Sequence, residues 1–438
     1  MSSKIERIRD SLFWAFIVAL AIRLLVMAFQ YQGALNPARD HWAFGYEMGR
    51  IARALLAGRG YSDPLFTESG PTAQVTPLYP FFLTGVFKVF GIYTTSSAIV
   101  VLSLQCLFSA LTCVPIYFIG RESFGAAVGG WAAWAWAFSP YAIFHSTNMV
   151  WDTCLTALLL TCLFLVTLRL QRSGSLVAWA GYGLLWGAAA MSNPAVLSVA
   201  PVLCGWACYR LHQQGRAWRT PLMVAGMTLA VVVSPWFARN YCVFHRFIPF
   251  RDTFWETLSA GNRMDSLSAG REGVQPATDE HELEEVTRLG ETPYVTKKRG
   301  LVIEFLRSHP DIFARLTARR IVTFWTGFWR SPQGEIEENF DPDDPFDPFF
   351  IILSAAMAIL ALDGLWRAFK QRAEVAWLYA LVLLIFPLLY YVTEVFERYR
   401  HSIDPEILVL AIFAIVSWAG NATPKAAGQR EMPAVRRL

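Results

Sequence analysis

Ionisable residues stand where an apolar chain has least reason to place them. From Phe396 to Gly420 the sequence reads FERYRHSIDPEILVLAIFAIVSWAG, so Glu397, Arg398, Arg400, His401, Asp404 and Glu406 crowd the start of a membrane-length apolar run. Arginine offers a planar, always-charged fork suited to phosphate oxygens. Asp152 follows Trp151 at the lip of another apolar run, 153–170, with His145 and Asn148 just before it. Earlier, in NPARDHWAFGYEMGRIARALLAGRGYSDP, Asp40 and Glu47 lie seven apart and share a helix face if the helix begins early enough. Carboxylates and an Arg/His cluster at a membrane border suit one chemistry: accepting a lipid phosphate and deprotonating a nearby hydroxyl. Each also has a plainer structural account. Glu47 would pair with Arg50 at i+3, Asp152 would cap its helix, and Glu394, Glu397, Arg398 and Arg400 would bridge one another.

The elements that must position these groups are set by composition. Of 438 residues, 55% are hydrophobic, 15% aromatic and only 16% charged, with mean hydropathy +0.36. Soluble domains carry more charge than this, and the 17 Trp and 32 Phe fit aromatic belts at membrane surfaces. The expected fold is an all-α polytopic membrane protein. A net charge of +4 without a basic tract excludes nucleic acid as a partner. Six of the seven cysteines lie in apolar runs, and they form neither a metal spacing nor a disulfide framework. Cys204 and Cys208, one turn apart, read as helix packing.

A spanning helix needs roughly 17–25 mostly apolar residues. The sequence offers about ten: 11–29, 95–119, 125–143, 153–170, 176–191, 194–210, 221–237, 347–369, 375–393 and 404–420. The first reads as a retained span, because MSSKIERIRD and its apolar run lack a small-residue cleavage site. The short piece 77–91 decides topology. Arg169/Arg172, Arg210/Arg216/Arg219, Arg367/Lys370/Arg372 and both terminal segments all face the cytoplasm only if 77–91 does not cross. Both termini are then cytoplasmic, and the outer face carries loop 30–94, the segment 144–152, the stretch 238–346 and EVFERYRHSID. Arg398 and Arg400 therefore run against the positive-inside bias, which marks them as functional candidates. Three parts follow: a membrane module, 1–237; a small, mainly helical periplasmic domain, 238–346; and the last spans with a cytoplasmic tail, 347–438.

Within the outer segments, Phe44, Met48, Ile51 and Leu55 predict a juxtamembrane amphipathic helix ended by Gly58. DEHELEEVTRLG, YVTKKRGLVIEFLRSHP and IFARLTARRIVTFW predict three more helices, broken at Gly290 and Pro310.

Several stretches carry a family resemblance. They are GYEMGRIARALLAGRGYSDP, PTAQVTPLYPFFLTGVFKVFG, MVWDT, SPWFARNYCVFHRFIPF and ERYRHSIDPEILVL, in that order. Together the chain resembles a bacterial member of the GT-C membrane glycosyltransferase superfamily, near the dolichyl-phosphate-mannose protein mannosyltransferase-like group. The resemblance implies inverting transfer of a sugar from a polyprenyl-phosphate-linked donor to an acceptor hydroxyl on a glycan, lipid or protein. The site would lie on the periplasmic face of the inner (plasma) membrane. It implies Glu47 or Asp40 as base and Asp152 as second acid. Arg398, Tyr399, Arg400 and His401 would lie at the donor phosphate, and His41, Tyr79, His145, Arg239 and Asn240 would be substrate-binding. Ser402 departs from the family's usual proline, and Asp40 lies further upstream than its usual pattern. Hard cations need several oxygen ligands and the sequence names two or three, so no cofactor is required and a divalent metal (Mg or Mn) is left open. The runner-up is a transporter or flippase of a lipid-linked saccharide. It is disfavoured because the halves are dissimilar and the ionisable groups sit at the outer lip.

Overall fold

The computed structural model describes residues 11–30, 44–267, 276, 279–327 and 347–420. Regular structure among them is helical, apart from one isolated bridge between Ser62 and Pro71. In chain order the helices are α1 (Leu12–Gln30), α2 (Tyr46–Leu56), α3 (Leu78–Phe90), α4 (Thr95–Leu111), α5 (Cys113–Phe124), α6 (Ala126–Ala137), α7 (Pro140–Thr147), α8 (Thr153–Leu170), α9 (Leu176–Ser192) and α10 (Ala200–Gln213). There follow α11 (Arg219–Phe244), α12 (Phe254–Gly261), α13 (Glu280–Leu289), α14 (Glu291–Ser308), α15 (Pro310–Thr326), α16 (Asp347–Lys370), α17 (Ala376–Ile385), α18 (Leu388–Val392), α19 (Glu397–His401) and α20 (Asp404–Trp418).

Six stretches among the described residues are long and apolar enough to cross a membrane: Leu12–Phe29, Thr95–Phe124, Thr153–Leu170, Pro194–Gln213, Arg219–Phe244 and Pro348–Lys370. The protein is therefore a multi-pass membrane protein. The four other expected spans are apolar but shorter or interrupted. Prolines explain two of them, because proline removes a backbone donor and disfavours helix at the preceding residue. The run 125–143 breaks at Ser139–Pro140 into α6 and α7, and 375–393 breaks at Pro387 into α17 and α18. Conversely, α11 passes through Pro235 to Phe244, beyond the expected end at 237, so Arg239 and Asn240 ride on a helix.

Two apolar clusters organise the bundle. One joins Trp136, Phe164, Trp179 and Phe413 from α6, α8, α9 and α20. The other joins Phe44, Met48 and Ile51 of the α2 region to Tyr79, Leu83 and Phe87 of α3. The second cluster is the buried face predicted from the first outer loop. It fixes α2 tightly, because a Cβ at Gly49 would run into the Phe44 carbonyl oxygen. The chain turns into α2 through two left-handed residues, Gly45 (φ 77) and Tyr46 (φ 46). A positive φ at tyrosine is unusual and strained.

Arg23 is fully buried inside the first span. An intramembrane arginine is by default a functional candidate, but this one is a strut. Its Nε donates to Ser109 Oγ (2.9 Å), Nη1 to the carbonyls of Ala19 (3.0 Å) and Ala137 (3.1 Å), and Nη2 to that of Trp136 (3.0 Å). It thus caps the end of α6, whose last carbonyls have no helical partner. Arg23→Met should lower the melting temperature in detergent, at about 1–3 kcal/mol for each buried acceptor left unpaired. A thermal-unfolding comparison with Arg23→Lys, which keeps one charged donor head, checks this.

The three helices expected in 238–346 are present as α13, α14 and α15. Asp279 caps α13 through its carboxylate, which accepts from the Glu282 amide at 2.8 Å, and Gly290 (φ 80) separates α13 from α14. Glu291, at the start of α14, ties this region to the first outer loop. It accepts from the Thr72 hydroxyl and from the Ala73 amide (2.6 Å). Burial pushes its carboxyl up to about 7 against those two hydrogen bonds. Its charged form is therefore disfavoured in the fold. Stability should fall as pH rises from the ordinary carboxyl range through about 7, by about 3 kcal/mol in all at 1.36 kcal/mol per unit. Amide exchange around Ala73, measured from pH 5 to 8, should show this loosening in wild type and a flat profile in Glu291→Gln.

Candidate functional site

The lip of α8 is built around a buried carboxylate. Asp152 is 1% exposed and occupies the N-cap position of α8. Its side chain makes no capping bond there; the backbone carbonyl alone accepts, from the Thr156 amide at 2.8 Å. The capping account thus does not explain the side chain. Burial pushes Asp152 up to about 6, opposed by the guanidiniums of Arg251 and Arg398. Arg251 Nη2 lies 3.9 Å from Asp152 Oδ2.

The segment before Asp152 is held by Gln105, a fully buried residue of α4. Gln105 donates to the Met149 carbonyl at 2.7 Å, and its oxygen accepts from the Trp151 amide (3.0 Å) and the Tyr79 hydroxyl (2.5 Å). Tyr79 therefore braces the site through Gln105. The Trp151 ring meets Tyr46 edge-on, with centroids 5.1 Å apart. The same ring carries the Arg398 guanidinium at 5.1 Å, which is also 4.2 Å from the Phe396 ring and 5.3 Å from Tyr399. Cation–π contacts of this kind hold a guanidinium without consuming its hydrogen-bond donors. Tyr399 stacks on Tyr390 with centroids 4.5 Å apart.

One mouth therefore brings together the start of α2, with Tyr46 and half-buried Glu47, the Trp151–Asp152 lip, and Arg398 with Tyr399 on α19. Each acid directly follows one ring of the Tyr46–Trp151 pair. Asp40 and His41, the other candidates of the first loop, lie outside the described residues.

The remaining candidates are placed elsewhere. Arg400 turns inward, 4% exposed. Its Nε donates to Asp404 Oδ1 (3.0 Å) and its Nη1 to the Trp325 carbonyl (3.0 Å) and the Ser354 hydroxyl. Arg400 thus pairs with Asp404; the Glu397 side chain, another expected partner, lies outside the described residues. Beside it lies a cavity of about 20 Å³ lined by Tyr141, Ser354, Phe396, Arg400 and Asp404, room for about one water. His401 is fully buried, 3.3 Å from Asp404 Oδ2, and its ring lies 5.3 Å from Trp136 and 4.6 Å from His145. Burial, with His401 next, holds His145 well below its ordinary value, so it is neutral.

Arg239 donates to the carbonyls of Thr72 and Tyr61, each at 2.7 Å, and Asn240 donates to that of Ile248 at 2.9 Å. These two join α11 to the first outer loop and to the turn that follows. Among the described residues no three His, Cys, Asp or Glu side chains assemble a metal site, and the two guanidiniums beside Asp152 repel a divalent cation.

Sequence reasoning missed Arg251 and Gln105. Arg251 sits in a polar segment after α11 where one more cation is unremarkable. Gln105 had a signal, as the single amide in the apolar run of α4.

Comparisons agree with the motifs. The structure resembles AglB, the oligosaccharyltransferase of the archaeon Archaeoglobus fulgidus, in complex with an inhibitory peptide and a dolichol-phosphate. The TM-score is 0.54 at 16% identity, covering 92% of this chain and 50% of that one. The same organism's enzyme tethered with an acceptor peptide gives 0.52 at 15% identity, over 92% and 49%. Its complex with Zn and sulfate gives 0.50 at 15%, over 92% and 49%. This chain thus spans about half the length of those proteins, and at such identities the likeness is one of fold. The fold is like that of the AglB structures. Within it, residues 74–238 match the family described as dolichyl-phosphate-mannose-protein mannosyltransferase, which bears out the resemblance read from the motifs. No curated protein matches the sequence.

Proposed function

We propose that the protein transfers a sugar from a polyprenyl-phosphate-linked donor to an acceptor hydroxyl at the outer face of the membrane. The observation that carries this is the buried Asp152 carboxylate facing Arg398 at the mouth of a GT-C-like bundle. An AglB structure holds a dolichol-phosphate and another is tethered to an acceptor peptide, which fits a lipid-linked donor and a separate acceptor. The reading places the chain in the bacterial inner membrane with ten spans and both termini cytoplasmic. The outer helices α12–α15 form the periplasmic part.

The transfer is a single displacement with inversion. Glu47 or Asp40 takes the acceptor proton as the acceptor oxygen bonds to the anomeric carbon, through an oxocarbenium-like transition state. The bond from that carbon to the phosphate oxygen breaks, and its electron pair leaves on the polyprenyl phosphate. Arg398 stabilises the phosphate as its charge grows. Asp152 positions the acceptor. Arg400 and His401 hold α19 in place from beneath. The described residues do not fit a metal ion, and no step is routed through one.

The test is release of label from radiolabelled polyprenyl-phosphate sugars by membranes carrying the protein. Wild type should consume at least one donor, and Asp152→Asn should not. If every donor stays intact while lipid-linked saccharide moves between leaflets, the protein is a transporter and the enzyme reading fails.

A further inference from the structure

We propose that Arg251 is the second arm of a phosphate clamp whose first arm is Arg398; this rests on the polyprenyl-phosphate reading above. Arg251 comes from the turn after α11, far from the motif that supplies Arg398. The two guanidiniums nevertheless act on the same neighbours, Asp152 and Tyr390. Both guanidiniums lie beside the same buried carboxylate, Asp152.

Hydrogen-bond accounting points the same way. Among the described residues, Arg251 Nε and Arg398 Nε are buried with no acceptor, and Asp152 Oδ2 has no donor. The 3.9 Å approach of Arg251 to Asp152 is an ion pair too long for a hydrogen bond. Buried donors left unmet are costly and uncommon. Arg210 elsewhere also keeps a buried Nε without an acceptor, whereas Arg23, Arg239 and Arg400 spend donors on named carbonyls or side chains. What distinguishes Arg251 and Arg398 is that their unspent donors lie on either side of one residue pair, Trp151–Asp152, where an anion can accept them.

The geometry is also fixed in advance. The turn carrying Arg251 is pinned on both sides. Asn240 donates to the Ile248 carbonyl (2.9 Å), Trp236 Nε1 to that of Phe250 (2.9 Å), and the Asp252 amide to that of Ala73 (3.1 Å). Arg398 is held by the rings of Trp151, Phe396 and Tyr399. A phosphate monoester entering between them would accept charge-assisted bonds from two preset forks.

The purified protein should bind farnesyl phosphate, a short polyprenyl phosphate, and not farnesol. Arg251→Ala and Arg398→Ala should each weaken that binding at least tenfold. Arg251→Lys should recover part of it, and the melting temperature of the free protein should stay near wild type in all three. Wild-type affinity in Arg251→Ala overturns the clamp and leaves the transferase reading standing. An equal affinity for inorganic phosphate and farnesyl phosphate overturns the lipid assignment, because the site would then serve free phosphate. Failure of wild type to bind farnesyl phosphate overturns both the clamp and the donor reading beneath it. Should Arg251→Ala not fold, the Arg251→Lys affinity decides: unchanged binding refutes the role and a loss supports it.

Discussion

Glutamine in place of Glu47 should leave the protein folded and able to bind lipid phosphate, yet slow sugar transfer by about 10²–10⁴-fold, the usual contribution of a general base. The substitution is nearly isosteric. Glu47 lies half-buried in the first turn of α2, where losing its charge forfeits only the favourable helix-dipole term, about 0.3–1 kcal/mol. The buried face of α2 is made by Met48, Ile51 and Ala52, which the change does not touch. Single-turnover transfer rates separate the candidates. A loss in Glu47→Gln with full activity in Asp40→Asn makes Glu47 the base, and the reverse pattern makes it Asp40. If both variants transfer at the wild-type rate, no first-loop carboxylate takes the proton and the mechanism above is wrong.

Arg400→Ala should act on folding instead. It removes one partner of a buried ion pair and leaves Asp404 with His401 alone beside it, with Ser354 and the Trp325 carbonyl losing a donor. Breaking such a pair from one side costs about 3–5 kcal/mol, a large share of ordinary stability. Poor yield and a sharply lowered melting temperature are expected. Arg398→Ala, two residues away, should melt like wild type and fail in lipid-phosphate binding. A stable Arg400→Ala protein that has lost only phosphate binding would return Arg400 to the site.

That contrast shows what was legible in the sequence and what was not. Arg398 and Asp152 announced themselves because a charge at a membrane border contradicts the hydropathy around it. The sequence reading grouped Arg398 with Arg400 and His401 as one phosphate site. Residues two apart on a helix point in nearly opposite directions, so α19 sends Arg398 to the mouth and Arg400 into the protein. The spacing alone held that information. Arg251 could not be found this way. Its partner Asp152 is nearly a hundred positions earlier, and the turn that aims it depends on Trp236 and Asn240 of another helix. Helix existence followed hydropathy closely, whereas span lengths did not. Prolines 140 and 387 divide runs that composition alone makes continuous.

The knot at Arg400 also governs the order in which the molecule can be made. Trp325 and Ser354 precede Arg400 and Asp404 in the chain and are synthesised before them. Until the ribosome has delivered α20, Arg400 on the helix carrying Arg398 lacks its Asp404 counter-ion. The earlier helices can insert, but they carry only half a phosphate site. A chain that stops before α20 should therefore lack the Asp404 brace under the proposed site.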